Sequence, residues 1–346
     1  MNTKTFNYSL FYYFLFVPVL LLTTCNDNPV NGGKPPCPPI GIDPMPAHDS
    51  PVWHPSGDYI GFNHIPLMKI EYPFGEHCQG RLYFDYSQAG FWLVNPDGTN
   101  KRRIFPYTIQ SPAWSPDGEW IAFSSPVGGE SHIFKMKFTG ETFDTTTVTQ
   151  LTLEGRNFFP AWSPDGEWIA YDSNVNDPRG ANVIWKMFAD GSNRQDISIH
   201  GVGEWRMPNW SPGGTRIVHQ RYIGIGAPEI VTMDTSGNNE LRLTYDDRFN
   251  SHPRYSPDES FISFASQKPG DKPKLWIIHV DKLSVRLLID ESVDSTFGLP
   301  FSWSPDGRYI VYTRYAAGNW SYENGDLWLL NVDTGERKQL TSNPSQ

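Results

Sequence analysis

Two adjacent residues, Trp205 and Arg206, have side chains that could anchor a binding partner. Exposed Trp and Arg side chains often carry much of the free energy of binding at protein interfaces. The pair could equally fill an internal channel or stack on itself, and the sequence leaves both possibilities open. Acidic, amide, aromatic and histidine residues occupy similar places elsewhere in the chain, and we expect them to join the same surface: His48, Asp49, Gln110, Asn157, Phe158, Asn250, His252 and Phe297.

Two further aromatic groups lie in long segments without a regular pattern. Tyr72 and Phe74 could form a recognition flap or cover an exposed sheet edge. Trp320 has aromatic neighbours whose composition suits sugar stacking, although aromatic residues in a long loop also pack locally. We include Tyr72, Phe74 and Trp320 in the predicted binding surface, with both alternatives left open.

The chain shows no spacing typical of a catalytic or metal-binding motif. His252 and Asp49 are metal-ligand types, but no HxH, HExxH or clustered acidic spacing accompanies them. A GxSxG nucleophile elbow, a P-loop and a GxGxxG loop are all absent from the sequence. We therefore predict no catalytic residues, no metal site and no cofactor.

The composition favours strands and turns over helices. Of the 346 residues, 38% are hydrophobic, 14% aromatic and 19% charged, and Gly and Pro contribute 30 each. The formal net charge is -10, which repels polyphosphate. The sequence therefore argues against nucleic-acid binding through a general basic surface.

One phrase recurs six times and must position these residues. The second copy reads AWSPDGEWIAF, and the aromatic anchors of the six copies are Trp53, Trp114, Trp162, Trp210, Tyr255 and Trp303. Ser-Pro-Asp-Gly reverses the chain, because Pro sets φ, Asp bonds nearby backbone and Gly accepts a positive φ. The anchors are 45 to 48 residues apart except for a first interval of 61. This spacing matches one four-stranded blade per copy, with an insertion in the first.

Six such copies predict an all-β fold, a six-bladed β-propeller of four-stranded antiparallel blades over residues 51–341, followed by a tail at 342–346. The last copy carries its own outer strand, so we expect side-chain packing to close the ring; strand pairing by residues 40–45 is the alternative. Loops of varied length and the blade-to-blade connections should share one face. Binding normally uses such loops on a rigid scaffold, so we place the binding surface there.

The repeated phrase resembles the TolB-type six-bladed β-propeller family, whose repeats are WD40-like. The resemblance covers residues 51–341 and is more specific for fold than for function, since similar propellers occur in prolyl-oligopeptidase-like peptidases and oligogalacturonate lyases. TolB has an additional α/β domain before its propeller. Because residues 26–50 are too few to supply one, we expect a stand-alone propeller.

Residues 1–25 resemble a bacterial lipoprotein signal peptide that ends in Leu-Thr-Thr-Cys, with Cys25 as the lipidated residue. An ordinary secretion signal and an uncleaved anchor are the alternatives. Several acyl chains on Cys25 would anchor the protein stably. Residues 26–50 are rich in Pro and Gly and predict a tether. In an oxidising compartment Cys37 and Cys78 could form a disulfide, or remain two unpaired thiols.

Together these features predict a non-catalytic lipoprotein of the bacterial cell envelope, exposed to the periplasm or the cell exterior, whose propeller binds a protein partner. Membrane contact is expected only through the N-terminal lipid, and carbohydrate is a possible ligand. The alternative function is a polysaccharide-active enzyme resembling oligogalacturonate lyases, or a carbohydrate-binding protein.

Overall fold

The computed structural model describes residues 48–65, 67–71, 81–175, 177, 180–198, 203–223, 226–268, 271, 273–290, 301–314 and 326–341. Within these residues, the strands form six four-stranded antiparallel sheets and one two-stranded hairpin. Neighbouring sheets contact one another around a ring, and the first sheet contacts the sixth. The predicted six-bladed β-propeller is confirmed.

Each blade runs from an innermost strand near the axis to an outer strand. Blade one comprises β1 (His48–Trp53), β2 (Ile60–His64), β5 (Gly90–Val94) and β6 (Arg102–Phe105), with the hairpin β3 (Leu67–Glu71) and β4 (Arg81–Phe84) inserted. Blade two comprises β7 (Gln110–Trp114), β8 (Trp120–Val127), β9 (Glu130–Phe138) and β10 (Phe143–Gln150). Blade three comprises β11 (Asn157–Trp162), β12 (Trp168–Ser173), β13 (Val183–Phe188) and β14 (Gln195–Asp196).

The remaining three blades follow the same order. Blade four comprises β15 (Trp205–Trp210), β16 (Arg216–Tyr222), β17 (Pro228–Asp234) and β18 (Leu241–Arg242). Blade five comprises β19 (Phe249–Tyr255), β20 (Phe261–Gln267), β21 (Lys274–His279) and β22 (Ser284–Ile289). Blade six comprises β23 (Phe301–Trp303), β24 (Tyr309–Arg314), β25 (Asp326–Asn331) and β26 (Arg337–Gln339).

The Ser-Pro-Asp-Gly phrase forms the turn between the first and second strands. In blade two the backbone amide of Gly118 donates to Ser115 O at 2.9 Å, and Gly118 has φ 72°. The Ser115 hydroxyl bonds the Asp117 carboxylate and accepts a hydrogen bond from the Trp120 amide at 2.9 Å. Side chains therefore satisfy backbone groups that a tight turn leaves unpaired.

The repeated Trp residues join neighbouring blades. The indole of Trp162 donates to the Ala113 carbonyl of the preceding blade at 3.1 Å, and Trp210 donates to Ala161 at the same distance. The indole ring covers apolar surface while its N–H reaches the innermost strand of the neighbour. Trp162 and Trp210 thus each fix one blade against the preceding one.

Blades six and one close the ring through a different hydrogen bond and an apolar cluster. The amide of Trp53 donates to the Ser302 hydroxyl at 3.0 Å. Trp53, Ile60, Val311 and Leu327 belong to one buried apolar cluster. Blade six also has its own outer strand, β26. Closure therefore uses side-chain packing, and the alternative pairing by residues 40–45 falls outside the described residues.

The propeller has two different faces. The Ser-Pro-Asp-Gly turns and the turns between third and fourth strands share one, which we call the turn face. The loops between second and third strands and the blade-to-blade connections share the other, the loop face. The hairpin β3–β4 is the insertion predicted for the first copy. In the part of the chain that the structure describes, no helix is long and apolar enough to cross a membrane.

Candidate functional site

A bulge interrupts the innermost strand of each of the first five blades, close to the loop face. The pairing register shifts at these places. In each bulge a residue before Pro has a φ of 50° to 58°, and these residues are Ser50, Ser111, Phe159, Met207 and His252. Left-handed backbone costs a non-glycine residue about 1–2 kcal/mol. Bulges of this kind redirect side chains and are frequent beside functional sites.

Phe159 and His252 show where redirected side chains go. Their ring centroids lie 5.8 Å apart in an edge-to-face arrangement of 80°. Phe159 belongs to blade three and His252 to blade five. Because blade four lies between these blades in the ring, the two side chains contact each other on the side of blade four that faces the axis. Both side chains therefore extend toward the axis and narrow the channel at its loop-face mouth.

Arg206 lies beside these aromatic residues. Its guanidinium is 5.8 Å from the ring centroid of Phe158 and 5.7 Å from that of Phe159, within range of a cation–π interaction. The Arg206 side chain is 29% exposed, whereas His252 is buried. We call Phe158, Phe159, Arg206 and His252 the channel-mouth cluster.

The buried carboxylate of Asp172 forms an ion pair with Arg206. Asp172, whose side chain is fully buried, lies 3.4 Å from Arg206 Nε through Oδ2. It also accepts hydrogen bonds from the Asn182 amide at 2.9 Å and from the backbone amide of Met207 at 3.2 Å. Burial raises the pKa of Asp172 to about 6, against the opposing effect of Arg206. Asp172 therefore orients Arg206 and fixes the adjoining bulge at Met207.

Trp205 does not lie on this surface. Its side chain is 0% exposed and packs in the apolar cluster that contains Ala161, Trp210 and Ile217. Its ring stacks on His219 at 4.9 Å with an interplanar angle of 5°. Burial lowers the pKa of His219 to about 4, which keeps the imidazole neutral at pH 7. Of the predicted anchor pair, Arg206 alone is available to a partner.

Three other predicted residues are buried and bonded within the fold. The amide of Asn157 donates to Glu154 O and Gly155 O at 2.9 and 2.8 Å. Asn250 donates to Asp246 Oδ1 at 3.1 Å. Asp49 accepts from Asn63 Nδ2 at 2.7 Å, and Asn63 in turn bonds the backbone of Ile109 in the connection to blade two. These side chains hold the blade-to-blade connections in place.

The other predicted residues either begin innermost strands or lie outside the described residues. Gln110 begins β7 and is half-buried, and His48 begins β1, where it pairs with His64 in register. The predicted lipidation, disulfide and aromatic-loop residues lie outside the described residues: Cys25, Cys37, Tyr72, Phe74, Cys78, Phe297 and Trp320. Among the residues that the structure describes, no three His, Cys, Asp or Glu side chains lie close enough to hold a metal ion.

Sequence reasoning missed Phe159, Met207 and Asp172. A signal for the first two was present, because Phe159 and Met207 precede Pro160 and Pro208 at the same point of their copies. No local signal marks Asp172, which follows Tyr171 at the end of an otherwise ordinary strand. Its role depends on Arg206, which lies in the next blade.

Comparison with known proteins identifies relatives of the chain. The family model described as the TolB beta propeller domain matches residues 94–222 and 153–346. An uncharacterized protein of Agrobacterium fabrum is 28% identical over 252 residues, which cover 70% of this chain and 80% of that protein. The Tol-Pal system protein TolB of Anaeromyxobacter dehalogenans is 30% identical over 170 residues, 48% of this chain and 37% of that protein.

A solved structure gives the same relationship in three dimensions. The crystal structure of TolB from Acinetobacter baumannii matches with a TM-score of 0.57 at 23% identity, covering 72% of this chain and 59% of that one. At this level of identity the likeness shows the fold alone. The chain thus spans little more than a third of the TolB relative from Anaeromyxobacter and under two thirds of the one from Acinetobacter.

Proposed function

Since the chain belongs to the TolB beta propeller domain family, we propose that it is a non-catalytic lipoprotein of the bacterial envelope whose propeller binds a protein partner. The observation that carries the proposal is the arrangement of Arg206, which is partly exposed, flanked by Phe158 and Phe159 and held from below by Asp172. Arg among aromatic residues is typical of the residues that dominate interface energetics. The TolB-like propeller fold supports a protein-binding module.

Rigidity supports this role for the channel-mouth cluster. The ion pair to Asp172 and the two flanking rings restrict the Arg206 side chain before any partner arrives. A preorganised side chain loses less conformational entropy on binding than a free one. The cluster also stands on innermost strands of the ring rather than on long loops, so its geometry is set by blade packing.

The proposed location rests on the N-terminal segment. A lipid on Cys25 and a tether over residues 26–50 would hold the propeller close to a membrane and expose it to the periplasm or cell exterior. The name of the Anaeromyxobacter relative assigns that protein to the Tol-Pal system. Replacing Cys25 with Ser should move this protein from the membrane fraction to the soluble fraction. Retention of the Cys25→Ser protein in membranes would contradict lipid anchoring.

Crosslinking in intact cells tests the binding proposal. The wild-type protein should capture one dominant protein, and Arg206→Ala should reduce that product about ten-fold or more, the effect expected of a dominant interface residue. Arg308→Ala is the matched control, because Arg308 is an Arg paired with Asp306 on the turn face. Equal products from wild type and both variants would contradict the proposed surface.

A separate measurement addresses the alternative functions. Purified protein should release no unsaturated sugars from acidic polysaccharides, and glycans should not compete with the crosslinked protein. Release of unsaturated sugars would overturn the non-catalytic role while leaving the fold unchanged. Glycan competition that depends on Arg206 would instead favour a carbohydrate-binding protein.

A further inference from the structure

A second recess opens on the loop face at blade five, outside the channel-mouth cluster. We call it the blade-five pocket; it has a volume of about 170 Å³ and lies among Arg248, Ser266, Lys268, Lys274, Trp276 and Leu287. Ser266 is at the end of β20, Lys274 begins β21, and Arg248 immediately precedes β19. The volume is below that of sites for drug-sized ligands. The pocket therefore suits one chemical group rather than a whole molecule.

Cationic side chains surround the pocket. Arg248, Lys268 and Lys274 line it against one acidic lining residue, Asp271, although the whole chain carries a net charge of -10. The Arg248 guanidinium lies 4.2 Å from the centroid of the Trp276 ring, which fixes its plane. A positively lined recess on an acidic protein attracts anions.

Two polar groups in the pocket also lack partners. Among the described residues, neither the Ser266 hydroxyl nor the Trp276 indole N–H has a hydrogen-bond partner, and both atoms are buried. Ser266 is 2% exposed. Buried donors normally find an acceptor, because leaving one unsatisfied costs about 1–3 kcal/mol. The residues that carry these two unpaired donors line the pocket together with its three cations.

Exposed carboxylates at the edge of the pocket limit the negative charge that a ligand can carry into it. Arg248 pairs with Asp246 at 3.1 Å, and Lys274 pairs with Asp290. These two carboxylates are 48% and 71% exposed, so solvent screens them and they neutralise the cations only in part. Because Asp246, Asp271 and Asp290 match the three cations in number, the pocket suits a singly charged anion better than a dianion. A planar carboxylate also matches the fork of a guanidinium.

We propose that the blade-five pocket binds a carboxylate, supplied by an acidic side chain of the protein partner. This inference rests on the proposed function and names the partner chemistry that it requires. The acidic side chain enters beside the Arg248–Trp276 stack, and its oxygens pair with the Arg248 guanidinium. Lys268 and Lys274 supply charge at the entrance.

The first experiment tests the pocket without the partner. The indole N–H resonance of Trp276, assigned with Trp276→Phe, is followed by NMR while acetyl-glutamate amide is added to the full chain. We expect a saturable shift, at least five-fold weaker binding of acetyl-glutamine amide and of inorganic phosphate, and loss of the shift in Lys274→Ala. Lys282→Ala, an exposed turn-face control, should behave as wild type. An absent shift, or equal binding of the glutamine analogue or phosphate, would overturn the proposal.

The second experiment tests the source of the carboxylate. A zero-length reagent that couples amines to carboxylates should join Lys268 or Lys274 to the partner in intact cells. Lys268→Arg with Lys274→Arg keeps the charge and removes the reactive amines, so the product should fall at least five-fold, whereas Lys282→Arg should leave it unchanged. An unchanged product would reject a protein as the source even if the NMR shift is present. If Arg206→Ala loses partner capture but keeps the NMR shift, the pocket is supported independently of the proposed function. If partner capture is kept but the NMR shift is absent, the pocket is rejected.

Discussion

The carboxylate of Glu259 in blade five accepts a hydrogen bond from the backbone amide of Gly213 in blade four. Both residues are departures from the repeated Ser-Pro-Asp-Gly phrase, since Gly213 stands where Asp is usual and Glu259 where Gly is usual. Glu259 adopts a φ of 60°, the conformation that Gly has in the other turns of this type. The longer side chain of one turn thus uses the space left by the missing side chain of the other.

We expect these two departures to be energetically coupled. In Gly213→Asp the new Cβ would lie 2.8 Å from Glu259 Oε1, and a second carboxylate would face the first. The free energy of unfolding should fall by about 1–3 kcal/mol. The double variant with Glu259→Gly restores the common phrase in both turns and should recover most of this loss. Urea denaturation of the four proteins measures the coupling, and additive effects would contradict it.

The fold was predictable because each copy carries its own turn and strand signals. The phrase around Trp114 and Trp162 specifies a turn and the strand after it from local residues alone, and repetition specifies the ring. The position of Trp205 could not be predicted in the same way. Trp205 and Trp210 are an odd number of residues apart, which in a regular strand places side chains on opposite faces. The bulge at Met207 adds one residue, so both indoles enter the same core.

Truncation of Trp205 should therefore destabilise the propeller rather than weaken a contact surface. Trp205→Ala removes a side chain that is 0% exposed and stacked on His219, and we expect a loss of about 3–5 kcal/mol in the free energy of unfolding. Arg206→Ala removes a partly exposed side chain but leaves the buried Asp172 without its cationic partner, so we expect a smaller loss of about 1–3 kcal/mol. Denaturant titration of both variants distinguishes them. Similar small losses would contradict the core position of Trp205.

The bulges should discriminate against β-branched residues. Ser111 has a φ of 51°, where Val is disfavoured, so Ser111→Val should lower the free energy of unfolding by about 1–2 kcal/mol. Ser111→Gly should be close to wild type. Ser124→Val is the matched control, because Ser124 is equally buried in the extended strand β8 of the same blade. If both Val variants lose the same stability, side-chain size rather than backbone conformation is responsible.

Asp172 should make stability depend on pH. The usual pKa of 3.8 applies to the unfolded chain, and burial raises the folded value to about 6. Between these values the folded state binds more protons than the unfolded state, so the free energy of unfolding should fall as the pH rises from about 4 to about 6. Asp172→Asn should remove this part of the pH dependence. Denaturant titration at pH 4, 5, 6 and 7 measures it, and an unchanged profile would contradict the assignment to Asp172.

Asp326 offers a control that separates the effect of a buried carboxylate on stability from its effect on partner binding. Burial raises its pKa to about 6 as well, but it accepts a hydrogen bond from Gln339 in blade six and does not contact Arg206. Asp326→Asn should therefore flatten the stability profile while leaving partner crosslinking unchanged. Asp172→Asn removes the charge that orients Arg206, so it should flatten the profile and reduce crosslinking about five-fold, since weakening one charged hydrogen bond costs about 1 kcal/mol. Equal crosslinking by the two variants would show that Asp172 stabilises its blade without positioning Arg206 for the partner.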